Sequence, residues 1–164
     1  MSQLVALSIS IGLLGGVFTW LGLKLMLSVW AGFIAWACFF HCGGDINGLK
    51  QTIVGNIFGG LMAWIAAYLM LGFGIMPPIA VGVTVFILCM AAHVKLLSSI
   101  PASVYGYAST FAILLINAQR MALAELMAVD YQRNALLQAE ASMILGALFG
   151  LLSAKLAGAM TKKA

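Results

Sequence analysis

The apolar positions of this chain form long unbroken runs rather than an alternating pattern. A strand of a membrane β-barrel alternates apolar and polar residues over about ten positions, whereas a spanning helix takes about 20 mostly apolar residues. The runs therefore predict an all-α, polytopic membrane bundle of about six transmembrane helices. Turn formers separate them, most densely over 42–48 and 72–78. The predicted spans are residues 4–22, 24–41, 51–73, 79–94, 101–117 and 141–160.

Residues 118–138 differ from the other stretches because charged and apolar positions are interleaved there. Arg120, Glu125, Asp130 and Arg133 fall in this stretch, with leucines and methionines between them. The pattern is typical of an amphipathic helix lying at the membrane surface, and also of water-exposed extensions of the neighbouring spans. We expect helix in either case.

The composition indicates that lipid surrounds most of the chain. Hydrophobic residues make up 64% of the 164 positions and charged residues only 7%, and the mean hydropathy is +1.12. Ordinary soluble domains carry about 25% charged residues. These values exclude a soluble globular enzyme and a disordered chain, and they leave room for one integral membrane domain over 1–164. The net charge of +4 does not indicate nucleic acid as a partner.

The basic residues predict an orientation, because cytoplasmic loops of membrane proteins carry an excess of Lys and Arg. With the N-terminus inside, the cytoplasmic side receives five basic residues and the opposite side three. We therefore favour an orientation with both the N-terminus and the C-terminus inside. The first group is Lys50, Lys95, Lys155, Lys162 and Lys163, and the second is Lys24, Arg120 and Arg133.

Two sequence patterns concern helix packing. Gly-x-x-x-Gly pairs place two glycines on one helix face, where another helix can approach closely, either within the protein or between subunits. The pairs are Gly12–Gly16, Gly55–Gly59 and Gly146–Gly150. In addition, Gly15-Gly16-x-x-x-Trp20 recurs as Gly59-Gly60-x-x-x-Trp64, an offset of 44 positions. This recurrence has two interpretations, duplication of a two-helix unit and chance in a chain rich in Leu, Gly and Ala.

Polar residues near the ends of spans are the candidates for a solute path, since ionisable groups in lipid are costly and mark pathways. Two clusters, one after the second span and one after the fourth, fall on the same side of the membrane and could face one vestibule. The alternative is that the histidines bind water or lipid headgroups and the tryptophans pack or anchor. The candidates are Trp20, Trp30, His41, Asp45, His93, Lys95, Ser98, Ser99 and Thr110.

The sequence predicts no catalytic, metal or cofactor site. It has neither Gly-x-Ser-x-Gly nor a phosphate-binding loop, and its histidines and cysteines lack the spacings His-x-x-x-His and Cys-x-x-Cys. Asp45 is the only acidic residue before position 125. We therefore do not expect an enzyme.

Three stretches resemble the small bacterial inner-membrane proteins of the YcdZ type, a family defined by a domain of unknown function. The resemblance covers roughly residues 8–115 and implies an integral inner-membrane protein, without a substrate or reaction. The stretches are Gly15-Gly16-Val-Phe-Thr-Trp20, then Ser28-Val-Trp-Ala-Gly-Phe33 with the loop from Gly43 to Leu49, and finally Leu96-Leu-Ser-Ser-Ile-Pro101 with Gly106 and Thr110-Phe-Ala112.

Together these observations predict a membrane channel or facilitator, in oligomeric form, for a small polar solute such as an amide, an amine or a short acid. The scarcity of intramembrane charges argues against a pump coupled to several ions. The alternative is a non-transporting anchor, assembly factor or interaction partner that uses the charged stretch 118–140 and the lysine tail, Lys162 and Lys163, as its contact surface.

Overall fold

The computed structural model describes residues 1–161, which form helices and turns and contain no strand. The prediction of an all-α membrane helical bundle is confirmed. Short 3-10 turns follow the fourth and fifth helices. The α-helices are α1 Gln3–Lys24, α2 Val29–His41, α3 Ile46–Phe73, α4 Pro77–Met90, α5 Ile100–Ile116, α6 Leu123–Leu126 and α7 Ala135–Thr161.

Local capping chemistry sets several helix bounds and explains their differences from the predicted spans. α3 begins at Ile46, earlier than predicted, because the Asp45 carboxylate accepts a hydrogen bond from the Gly48 backbone N–H at 2.7 Å. It ends at Phe73, and the cap residue that follows is Gly74, whose φ of 66° is the left-handed conformation that glycine adopts without strain. α4 opens with Pro77, because a first-turn proline loses no helical hydrogen bond.

Three helices, α1, α3 and α7, are long and apolar enough to cross a membrane, and α2, α4 and α5 are shorter apolar helices. The outward faces carry large apolar side chains in contact with the surroundings, among them Leu4 at 75%, Phe86 at 66% and Ile116 at 74% exposure. Water would penalise such a surface, whereas lipid chains are its natural solvent.

Hydrogen bonds that link the turns to neighbouring helices identify the two ends of the bundle. At one end, which we call the His41 end, the Cys42 thiol donates to Ser99 Oγ at 3.4 Å and Gln51 Nε2 donates to Ser98 Oγ at 3.4 Å. At the other, the Lys24 end, the turn after α1 contacts the start of α7, since Gln138 Nε2 donates to the Met26 carbonyl at 3.0 Å. Lys162 and Lys163 lie outside the described residues.

The crossing of α2 with α7 brings two backbones into direct contact. A Cβ placed on Gly146 would lie 2.0 Å from the Gly32 carbonyl oxygen, and one placed on Gly150 would lie 2.8 Å from a Phe39 ring atom. Aromatic rings surround this contact, with Phe33 stacked on Trp36 at 5.7 Å between ring centroids. Glycines thus permit the close approach, and aromatic side chains fill the space around it.

The crossing of α3 with α5 is equally close. A Cβ on Gly59 would lie 1.8 Å from the Ser103 carbonyl oxygen, and one on Gly55 would lie 2.7 Å from Ala102 Cβ. The same holds for a glycine on α5, since a Cβ on Gly106 would lie 2.0 Å from the Asn56 carbonyl oxygen of α3. Any larger residue at these positions would force the two helices apart.

The Gly12–Gly16 pair of α1 has different surroundings from the Gly55–Gly59 pair of α3. Gly12 and Gly16 have no atom within 4 Å of an added Cβ, so this pair takes no part in packing within the chain. The recurring motif is likewise used differently: Trp20 is 63% exposed, whereas the Trp64 indole N–H donates to the Leu126 carbonyl at 2.9 Å.

The structure differs from the predicted helix over 118–138. Residues 117–134 form a compact cap of turns around the four-residue α6, and α7 starts at Ala135. Asn134 holds the cap together, because its Nδ2 donates to the carbonyls of Leu126 and Ala128 while its Oδ1 accepts from the first backbone N–H groups of α7. Leu126 is fully buried against Ala135 and Ala139. The interleaved apolar residues therefore anchor the cap to the bundle.

Candidate functional site

Side-chain polar atoms that are buried and lack a hydrogen-bond partner are concentrated on three helices. In residues 1–161 these atoms are shielded and form no hydrogen bond with the protein. We call the set of residues that carry them the polar seam. It comprises Thr52 and Asn56 on α3, Ser103, Ser109 and Thr110 on α5, and Glu140 on α7.

The seam follows the contact between α3 and α5. Asn56 lies against Gly106, and one turn further along both helices, Gly60 lies against Thr110. Asn56 is 2% exposed and Thr110 is fully buried. Because residues four apart share a helix face, successive turns of each helix bring further seam residues to the same contact. Ser103 lies one turn before this point on α5.

Glu140 reaches the seam from α7. Its Oε1 lies 2.2 Å from the point where a Gly60 Cβ would stand, Thr110 Oγ1 lies 3.0 Å from that point, and a Leu136 methyl group lies 3.1 Å from it. Gly60 is at the middle of α3, Ile46–Phe73. The missing side chain at Gly60 thus makes the room in which α3, α5 and α7 bring a carboxyl group and a hydroxyl group together.

Polar groups also cluster at the His41 end. His41 Nδ1 lies 3.4 Å from the Tyr105 hydroxyl oxygen, next to the contacts of Ser98 and Ser99. His93 is exposed, with its Nδ1 2.9 Å from the Met90 carbonyl oxygen. Lys95 lies with Lys50 beside a cavity of about 260 Å³, and Asp45 serves as the cap of α3.

Open cavities lie at both ends of the bundle. The one at the Lys24 end, of about 460 Å³, is lined by Trp30, Asn117, Arg120 and Gln138 among others. At the His41 end, a cavity of about 430 Å³, separate from the one beside Lys50 and Lys95, is lined by residues that include Phe40, Gly44 and Thr161. Of the predicted path residues, Trp30 therefore faces a cavity, Trp20 faces outward and Thr110 lies in the interior.

The cap carries the one ion pair found in residues 1–161. Arg133 Nε donates to Glu125 Oε2 at 2.9 Å, and a second guanidinium nitrogen contacts Oε1. This hydrogen bond holds the pKa of the Glu125 carboxyl below its usual 4.5, and it raises the pKa of Arg133. The pair is exposed and stabilises the cap only weakly.

The described residues contain no group of three or more His, Cys, Asp or Glu side chains that could hold a metal ion. The seam offers one carboxyl group together with hydroxyl and amide groups. Such a set can exchange hydrogen bonds and protons with a ligand.

Sequence reasoning missed most of the seam. Glu140 was grouped with the charged stretch, because the last span was predicted to begin at 141, one residue after it. The structure begins α7 at Ala135, so Glu140 belongs to the second turn of a long apolar helix. A signal was present in the spacing of Thr52, Asn56 and Gly60, which places small and polar residues on one face of α3 every four positions.

The fold and the outward apolar surface define an α-helical integral membrane protein whose interior contains a seam of polar side chains. The chain belongs to a family described as protein of unknown function (DUF1097), which matches residues 8–158. This confirms the predicted family resemblance.

Two relatives carry the name inner membrane protein YcdZ. The protein of Escherichia coli K12 is 30% identical over 119 residues, which cover 68% of this chain and 71% of the relative. The protein of Salmonella typhimurium LT2 is also 30% identical over 119 residues, covering 68% of this chain and 72% of the relative. Their names support the predicted location in a bacterial inner membrane. No solved structure matches this chain.

Proposed function

We propose that this protein is a facilitator that passes a small polar solute across a bacterial inner membrane, with the polar seam as the solute's binding path. The observation that carries this proposal is the set of buried polar atoms on α3, α5 and α7 that form no hydrogen bond within residues 1–161. The inner-membrane names of the two relatives agree with the location.

The energetic argument concerns the cost of these atoms. A buried polar group left without a hydrogen bond costs about 1–3 kcal/mol, and an apolar residue of the same shape would avoid that cost. Buried polar groups of this kind in native structures therefore call for an explanation, and in membrane interiors such groups mark pathways. A solute that forms hydrogen bonds with Asn56 and Thr110 recovers part of the cost when it binds.

The arrangement of polar groups along the bundle supports a path from end to end. The contacts of Gln51 and Ser99 at the His41 end are followed along α3 and α5 by Asn56, then by Glu140 near the Lys24 end. Since the glycine contacts are closed, passage requires α3 and α5 to separate and close again.

The chemistry of the seam favours a small solute that both donates and accepts hydrogen bonds. The amide of Asn56 and the hydroxyl group of Thr110 can each do both, and a single acidic group is present. Amides and amines meet this requirement best, and short acids are the third class that we include.

The proposal includes the topology and the assembly. We infer six crossings from the long apolar runs, and both termini inside from the distribution of basic residues. We also infer a homo-oligomer, because Gly12 and Gly16 leave an open small-residue face on α1, while the other two glycine pairs are used within the chain. Labelling of single introduced cysteines from each side tests the topology, and the mass of the protein in lipid nanodiscs tests the oligomer.

The test of function is solute flux into liposomes that contain the purified protein. We expect entry of at least one amide, amine or short acid above the rate of empty vesicles. Asn56→Leu and Thr110→Val should abolish that entry. Thr19→Val is the matched control, because the Thr19 hydroxyl on α1 donates only to the Gly15 carbonyl.

Two results would contradict the proposal. One is the absence of flux for every solute of the panel. The other is undiminished flux in both seam variants. If flux is absent and a stoichiometric partner protein copurifies from native membranes, the non-transporting class of protein replaces the facilitator.

A further inference from the structure

We propose that the Glu140 carboxyl group is a proton-binding site, which holds a proton while the seam is closed and exchanges it with water at the Lys24 end as solute passes. The exchange rests on the proposed function, whereas the bound proton rests on geometry alone.

The first step of the argument is the isolation of the carboxyl group. Both Glu140 oxygens are shielded and lack a hydrogen-bond partner within residues 1–161. A carboxylate in such surroundings would keep its charge without water or a counter-ion, which is far more costly than burying the neutral acid. The closed bundle therefore favours the protonated form.

The second step concerns the charged groups of the elements packed against α7. Lys24 ends α1, His41 ends α2 and Lys50 is the fifth residue of α3, so all three are near the ends of the bundle. Arg120, in the cap, is engaged by the Gln138 side chain and the Gln132 carbonyl. In the part of the chain that the structure describes, none of these groups bonds to Glu140.

The other titratable side chains near the interior have partners or positions elsewhere. The Tyr107 hydroxyl group pairs with Thr84, and the Tyr105 hydroxyl group pairs with His41. Tyr68 stacks on Trp64. Gly60 on α3 and Thr110 on α5 lie beside the Glu140 carboxyl group, and neither titrates.

The third step is the space available. Glu140 Oε1, Thr110 Oγ1 and a Leu136 methyl group all lie within 3.1 Å of the point where a Gly60 Cβ would stand, so a single added carbon there would overlap the carboxyl group. A hydrated metal ion or an organic cation needs far more room than this. A proton needs none, and it turns one carboxyl oxygen into a hydrogen-bond donor.

The fourth step is access to water. Glu140 is in the second turn of α7 and therefore close to the Lys24 end of the bundle, where Gln138, on a different face of the same helix, lines the 460 Å³ cavity. The cap residue Leu126 packs on Ala139, the neighbour of Glu140. In the exchange, the O–H bond of the acid breaks, its electron pair stays on the carboxylate and the proton passes to water. Uptake is the reverse.

The experiment is infrared spectroscopy of the purified protein in lipid. The chain has only four acidic side chains, and Asp45, Glu125 and Asp130 lie in segments at the two ends of the bundle. We expect a carboxylic-acid carbonyl band at pH 7 that shifts in D₂O and disappears when alkaline pH removes the proton. The band should be lost in Glu140→Gln and kept in the matched variant Glu125→Gln.

A wild-type protein without the acid band at pH 7 would overturn the proposal, whether or not Glu140→Gln folds. A band that survives in folded Glu140→Gln would do the same. The exchange is tested in liposomes that contain a pH-sensitive dye, where solute entry should move protons in the wild type and not in Glu140→Gln. Solute flux without proton movement refutes the exchange and leaves the facilitator intact. A Glu140-dependent acid band without any solute flux refutes the facilitator and leaves the proton site intact.

Discussion

The two close helix crossings of this bundle rely on glycines in the same way and surround them with different chemistry. At the α2–α7 crossing, the Trp36 indole N–H donates to Ser153 Oγ at 3.1 Å, and the Ser28 backbone N–H donates to Ser142 Oγ at 2.9 Å. At the α3–α5 crossing, the hydroxyl group of Ser103 has no partner within residues 1–161.

The difference separates structural packing from function. Glycines let helices touch in both places, because lipid offers no hydrophobic drive and close contact must supply the attraction. The α2–α7 crossing then satisfies its polar groups and fills its volume with rings, as a purely structural interface should. The α3–α5 crossing leaves polar groups unused, which is the property expected of a surface that opens and binds.

Replacing a glycine at either crossing with a larger residue should have the largest effect on folding. Gly59→Val and Gly146→Val would place methyl groups inside the partner backbone, so we expect neither variant to form the bundle. Gly82→Val on α4 is the control, since it makes the same change where nothing lies within 4 Å of the Cβ and outside the Gly12–Gly16 face. The measurement is the fraction of protein that elutes as a single species from size-exclusion chromatography in detergent. Wild-type behaviour of Gly59→Val would refute the described packing.

The next effect concerns the aromatic filling of the α2–α7 crossing. Trp36→Ala should destabilise the protein by about 3 kcal/mol, the lower end of the range for buried aromatic residues, because lipid removes part of the transfer term. Trp20→Ala removes the same side chain from an outward position that is 63% exposed, and should cost much less. Unfolding by sodium dodecyl sulfate in mixed micelles measures both. Equal losses would show that Trp36 is not part of a packed core.

The third prediction compares two variants, each of which replaces one serine with alanine, one variant at each crossing. Ser153→Ala leaves the Trp36 indole N–H unpaired and should cost about 1–3 kcal/mol, whereas Ser103→Ala removes an unpaired hydroxyl group and should be neutral or stabilising. The same unfolding assay compares them. A loss at Ser103 equal to that at Ser153 would mean that the Ser103 hydroxyl group has a structural partner, and the contrast between the crossings would fail.

The smallest effect belongs to the cap, outside both crossings. The Arg133 guanidinium lowers the pKa of Glu125 from its usual 4.5. The ion pair therefore stabilises the folded state above the unfolded pKa, and this contribution is lost as pH falls through the lower folded pKa. Wild type should show a small extra decrease of the melting temperature in that acidic range that Glu125→Gln lacks. Identical pH profiles would show that the pair does not contribute.

The path residues predicted from sequence were chosen because their side chains are polar, ionisable or aromatic. The structure places most of them at the ends of the bundle. His41, Ser98 and Ser99 come together at the His41 end of the bundle. Only Thr110 lies in the interior seam. Serine, threonine and asparagine inside apolar helices are common, so residue type alone does not distinguish those with partners from those without.

Composition, run length and motif are local properties of the chain, and they were sufficient to predict the lipid surroundings, the helical class and the family. They did not predict which glycine pairs touch another helix, that residues 117–134 form a cap, or that Glu140 faces Gly60. These depend on helix rotation and register, which are set by contacts between residues as far apart as Gly60 and Glu140. Spacing within one helix defines a face, and only packing shows what that face meets.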